Sequence, residues 1–160
     1  MDDPARRRGA GLRRPRRGTA APARRGVDRA PALLTRARGR AKPGRMLIFK
    51  ILRPAEWAAL ERDGEIAGAP VDVADGFIHF STAEQLPETL ARHFAGAEGL
   101  IVAAFDADAL AVALRWEPSR GGALFPHLYA PLRRSDVLWT RPAPLGSDGV
   151  HVLPPEAQAA

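Results

Sequence analysis

The side chains of this chain that could do chemistry gather in three short stretches, Asp75–Thr82, Arg115–Gly122 and Phe125–Tyr129. Each reads as a strand end joined to a turn, where a rigid scaffold usually presents functional groups. His79 and Ser81 are two residues apart, so on a strand they share a face, as do Arg115 and Glu117. Together they offer an imidazole for proton transfer and a carboxylate to stabilise a cationic transition state. Arg115 or Arg120 is available for a phosphate, Thr82 and His127 lie within the first and third stretches, and Tyr129 can stack on a ring. Backbone amides at the Gly121-Gly122 turn can cradle an anion. His79 and His127 could also work as a general acid–base pair on a phosphodiester.

Most of these residues have a plainer explanation. Ser81 or Thr82 can cap the helix that follows, and His79 can be a half-buried ring bonded to a loop carbonyl. Arg115 and Glu117 can form an ordinary ion pair on one strand. His127 follows a proline and fits an exposed edge. Trp57, Trp116 and Trp139 fit core or rim positions, and His93 and His151 have no partner pattern. No ligand spacing supports a metal site.

The elements that must position these groups follow from hydrophobic period and turn chemistry. The apolar run Leu47–Leu52 suits a buried strand. Pro54 opens a helix that Gly64 ends. Gly68–Val73 reads as a loop, with a turn at Asp75-Gly76 before a strand over Phe77–Ser81. Thr82 caps a helix running to about Phe94, with Leu86, Leu90 and Phe94 on one face. Leu100–Phe105 is a strand followed by a helical turn over Asp106–Leu110. Further strands are expected over Ala111–Glu117, Leu124–Leu132 and Val137–Arg141, separated first by a loop at Pro118–Gly122. The order predicts an α+β fold, a small mixed or antiparallel sheet carrying about two helices, with no internal repeat.

Charge divides the chain of 160 residues into unlike parts. Residues 1–45 hold 15 of the 24 Lys+Arg and only Asp2, Asp3 and Asp28 in opposition, so the leader carries about +12 and the remainder about −6. The leader is built of Arg, Ala, Gly and Pro and cannot bury enough surface to offset the entropy of ordering, which predicts disorder. It lacks the apolar stretch of a secretory signal. Its composition also fits a start placed too far upstream in a GC-rich reading frame, with Met46 the true start. If translated, it could bind nucleic acid or anionic lipid by charge alone. Residues 46–148 form the predicted single domain, and 149–160 an irregular tail. Absence of cysteine excludes disulfides, thiolate zinc sites and a cysteine nucleophile. No apolar run approaches the roughly 18–20 residues of a membrane span, so a cytoplasmic protein is expected.

From Leu47 to about Leu145 the sequence resembles the uncharacterised bacterial family known as domain of unknown function 952. The resemblance is carried by Phe49-Lys50-Ile51, Asp75–Thr82 and Arg115–Tyr129. It implies a fold like that of ADP-ribosyltransferases, with no established activity. The His79-x-Ser81 arrangement is similar to the dinucleotide contact of poly-ADP-ribose polymerases, where the histidine bonds a ribose hydroxyl and the serine the nicotinamide amide. On that likeness NAD is the candidate substrate, His79 and Glu117 carry the ribosyl chemistry, and Ser81, Thr82, Arg115, Arg120, His127 and Tyr129 hold the ligand. Two other readings remain open at this point. One is a non-catalytic module for a nucleotide or other anionic metabolite. The other is a histidine-dependent phosphoesterase, whose two-histidine signature His79-x-Ser81 half matches and His127-Leu128-Tyr129 does not. The expected partner is a small molecule, with oligomeric state undetermined.

Overall fold

The apolar run that opens the folded part becomes the central element of the molecule. In the computed structural model, which describes residues 44–159, Leu47–Leu52 forms strand β1. It pairs antiparallel with β4 (Ile101–Asp106), which also pairs with β8 (Trp139–Pro142), giving one sheet of order β1-β4-β8. A second sheet joins β3 (Ile78–His79), β6 (Leu124–Leu128) and β5 (Leu114–Pro118) in that order, again antiparallel. A short ladder pairs β2 (Glu65–Ile66) with β7 (Leu132–Arg133). The two three-stranded sheets are tied where Phe49 and Ser81 exchange backbone hydrogen bonds of 2.8 and 2.9 Å.

Alternation along β1 feeds two cores. Ile48 and Leu52 pack with Leu60, Ile78, Phe80, Phe105, Leu128 and Leu132. Phe49 and Ile51 pack with Leu86, Leu90, Leu100 and Val102. Lys50 falls between Ile48 and Leu52 and is buried with them, which requires an anionic partner inside the protein.

Four helices are present among the described residues: α1 (Pro54–Asp63), α2 (Pro70–Asp75), α3 (Leu86–His93) and α4 (Pro155–Gln158). The α+β class and antiparallel pairing agree with the sequence-based expectation, while the helix number exceeds it. The stretch expected as a loop from Gly68 is α2, because Pro70 at its start and Asp72 in its first turn are helix-initiating signals that the flanking glycines hide. The strand expected over Ala111–Glu117 begins only at Leu114, and Ala107–Ala113 are turns closed by bonds such as Ala113 N–H to the Leu110 carbonyl at 3.0 Å. The long strand expected over Leu124–Leu132 breaks into β6 and β7 around Pro131. The segment over 149–160 carries α4 and a bridge from His151 to Leu145. Of the 1–45 leader, residues 1–43 lie outside the described residues. Arg45 is described, its Nε 2.6 Å from Asp106 Oδ2. Among the described residues no helix is long and apolar enough to cross a membrane.

Candidate acid–base cleft

The core cannot hold Lys50 without a counter-charge, and α2 supplies it. Asp72 stands three residues after the helix cap Ala69, where an acidic side chain can turn back on the cap N–H. Its Oδ2 accepts from Ala69 N at 2.7 Å and from Lys50 Nζ at 2.7 Å. Its Oδ1 accepts from the His79 backbone N–H at 3.0 Å and lies 2.8 Å from His79 Nδ1. Burial alone would push this carboxyl up. The His79 side chain, the Lys50 charge and the His79 backbone bond outweigh burial and bring it down to about 2. Asp72 is therefore a carboxylate that can only accept, so His79 Nδ1 is the donor in their contact. The other nitrogen, Nε2, lies 3.2 Å from Asp75 Oδ2 at the end of the same helix.

A second histidine is held in the same manner from the neighbouring strand. His127 on β6 is buried, and its Nδ1 lies 2.8 Å from Glu117 Oε2 on β5. The Tyr129 hydroxyl donates to the same oxygen at 2.8 Å. The bonds from His127 and Tyr129 hold the Glu117 carboxyl below its ordinary value, and the Glu117 contact raises Tyr129. Because β3 pairs with β6 so that His79 faces His127, the two imidazoles stand edge to face with centroids 5.3 Å apart. Phe77 stacks on the His127 ring at 4.2 Å and contacts the His79 ring at 4.8 Å, fixing both planes.

Both histidines open onto one cleft of about 590 Å³, a size ordinary for a small-molecule site. Lys50, Asp72, Asp75 and Ser81 also line it, with Phe49, Phe80 and Phe125 among its apolar residues. Arg53 and His93 also line it, with the Arg53 guanidinium 5.1 Å from the centre of the Phe94 ring.

The candidate residues read from sequence are only partly brought together. His79, Ser81 and His127 line the cleft. Ser81 is buried, its Oγ 3.1 Å from Thr89 Oγ1. Glu117 and Tyr129 stand behind His127 and not on the cleft, so they orient the ring without meeting a ligand there. Arg115 is turned away, its guanidinium 4.6 Å from the centre of the Tyr129 ring. Thr82 caps the turn before α3, its Oγ1 accepting from Gln85 N at 3.3 Å. Arg120 lies in the 3-10 turn Arg120–Gly122. His127 is not at an exposed edge, since β6 is the middle strand of its sheet. His151, which showed no partner pattern, is 2.8 Å from the Ala97 carbonyl through Nε2.

Sequence reasoning missed Lys50, Asp72 and Asp75 as members of the site. A lysine inside an apolar strand was the available signal for the first, and an acid three residues after a helix cap for the second. Among the described residues no group of three or more metal-ligating side chains is arranged to hold an ion.

Two solved structures of one protein are similar to this chain. The crystal structure of protein CC0527 from Caulobacter crescentus is 47% identical to this chain, covering 71% of it and 99% of that protein, with a TM-score of 0.67. Its solution structure is 50% identical over 65% of this chain and 90% of that one, with a TM-score of 0.60. No curated protein matches the chain. Residues 51–140 match the family model described as a protein of unknown function, DUF952. The cleft thus lies within the matched region apart from Phe49 and Lys50 at its edge, and the chain belongs to the domain of unknown function 952 family.

Proposed function

We propose that the cleft binds a nucleotide-sized ligand and that His79 and His127 move protons to and from it during cleavage of an ester or glycosidic bond. The observation that carries this reading is the pair itself. Two imidazoles 5.3 Å apart each take a carboxylate on Nδ1 and open on one cleft. A carboxylate on Nδ1 orients each ring, leaving the Nε2 of His127 to work while that of His79 lies 3.2 Å from Asp75 Oδ2. Arg53 brings positive charge to the cleft, and Phe49, Phe80 and Phe125 among its lining offer apolar surface to a planar ring.

A likeness to ADP-ribosyltransferases belongs to the same proposal, with NAD as candidate substrate. What favours it is that His79 and Ser81 line one cleft, as the His-x-Ser pattern requires. The cleft carboxylate beside His79 is then Asp75, at 3.2 Å, in the role first given to Glu117.

The test is ligand-induced thermal shift of the protein with NAD, ADP-ribose and AMP, for the wild type and His127→Asn, followed by assays of nicotinamide release and of phosphodiester hydrolysis. A ligand at 100 times its Kd adds about 2.7 kcal/mol of stability, which is readily seen as a rise in Tm. A shift present in the wild type and lost in His127→Asn supports the reading. A wild type that shifts with none of the three ligands overturns the nucleotide assignment, and binding without turnover leaves a binding module.

A further inference from the structure

The two histidines share a cleft but not an environment. We infer that the pair is asymmetric, His79 acting as proton donor and His127 as proton acceptor, an assignment that rests on the proposed acid–base role of the cleft.

The groups facing each ring set the difference. His79 meets Asp72 on Nδ1 and Asp75 on Nε2, both from α2, while Lys50 from β1 reaches it only through Asp72. A carboxylate accepts and does not donate, so each nitrogen facing one is satisfied by carrying a proton. With a carboxylate at both nitrogens, the fully protonated ring is the form this surrounding completes. His127 meets one carboxylate, Glu117 from β5, and shares it with the Tyr129 hydroxyl. Arg115, the cross-strand partner of His127, lies on the same strand as Glu117 and offsets its charge. The Nε2 of His127 makes no hydrogen bond among the described residues, and Phe77 covers a face of the ring.

The resting pair therefore holds one acid and one base. In a hydrolytic step His127 Nε2 takes the proton of an attacking water, whose oxygen forms the new bond. The electron pair of the broken bond goes to the leaving atom, which receives the proton from His79 Nε2. Water is consumed, no oxidant or reductant is needed, and the two protons return to their starting positions through solvent. Asp75 becomes a positioning residue, since it keeps the His79 Nε2 proton in place until a ligand displaces it.

The experiment is a long-range proton–nitrogen correlation spectrum of the full chain labelled with nitrogen-15 histidine near neutral pH, assigned with His79→Gln and His127→Gln. The expected pattern is two protonated nitrogens in His79, and a protonated Nδ1 with a bare Nε2 in His127. In Asp75→Asn, where the substituted side chain is about half exposed and the fold has little to lose, His79 should revert to the form protonated on Nδ1 alone, with His127 unchanged. The opposite assignment, the same form in both rings, or no response of His79 to Asp75→Asn overturns the inference. No ligand is added, so a failure to bind nucleotides leaves this result untouched, and a reversed pattern in a protein that binds them removes the division of roles alone.

Discussion

Asp72 Oδ1 accepts two bonds from one residue, the backbone N–H of His79 at 3.0 Å and its imidazole at 2.8 Å. Main chain and ring of His79 are thus fixed to the same atom, while the other Asp72 oxygen holds Lys50 and the cap of α2. One buried carboxylate sets a helix, a strand and a catalytic candidate relative to each other.

That carboxylate makes stability fall in acid. Its value is about 2 in the folded protein against 3.8 ordinarily, so its contribution is fully present above the ordinary value and is lost as pH falls through 3.8 towards 2. The difference is worth roughly 2 kcal/mol at the usual conversion of 1.36 kcal/mol per unit. Urea unfolding at pH 6 and pH 2 should show a larger loss for the wild type than for Asp72→Asn. Equal losses would mean that Asp72 is not the group responsible.

Lys50 and Asp72 should be strongly coupled. Lys50→Met alone leaves a buried carboxylate short of its ammonium, and Asp72→Asn alone leaves a buried ammonium, each costing about 3–5 kcal/mol. The double substitution should cost much less than the sum, because both charges are gone. Additive losses in a double-mutant cycle would show that the ion pair of 2.7 Å has no energetic consequence.

Two glycines that bracket α2 should respond differently to alanine. Gly68 and Gly76 both have positive φ, +110° and +84°, so either change costs about 1–2 kcal/mol in backbone strain. A Cβ at Gly76 meets open space, whereas at Gly68 it falls 2.6 Å from Asp72 Cβ. Gly68→Ala should therefore be the more destabilising of the two and should also disturb the His79 resonances. Gly76→Ala should leave those resonances in place.

Phe77 holds the histidine planes, so Phe77→Leu should cost about 0.5–1.5 kcal/mol beyond its lost area. The sharper readout is crystallographic or by NMR: the His127 ring should show new rotamers once the stack at 4.2 Å is gone. An unchanged, single ring orientation would assign its placement to Glu117 alone.

The helices α1 and α3 and the strands β1 and β4 were legible because each combines hydrophobic period with a capping residue or a sharp stop. The helix α2 was not, since at six residues it is too short to show a period and lies between glycines. The same short helix carries Asp72 and Asp75, so missing it meant missing the acids of the site. His79, Ser81 and His127, singled out because they cluster at strand ends, line one cleft. Glu117, read as catalytic, and Tyr129, read as a ligand contact, bond to each other, and Glu117 also holds His127. Which face of a strand meets a cleft depends on partners distant in sequence, and a single-strand pattern does not contain that information.

The pairing of His79 with His127 ties the site to a ladder of only two residues on β3. A slip of one position along that ladder would send one imidazole to the opposite side of the sheet and dissolve the pair without unfolding anything. The reciprocal bonds between Phe49 and Ser81, two residues further on, act as a stop against that slip. Insertions should accordingly be tolerated in the turn at Gly121-Gly122 and rejected between Ile78 and Ser81, where a single added residue would break the alignment of the two rings.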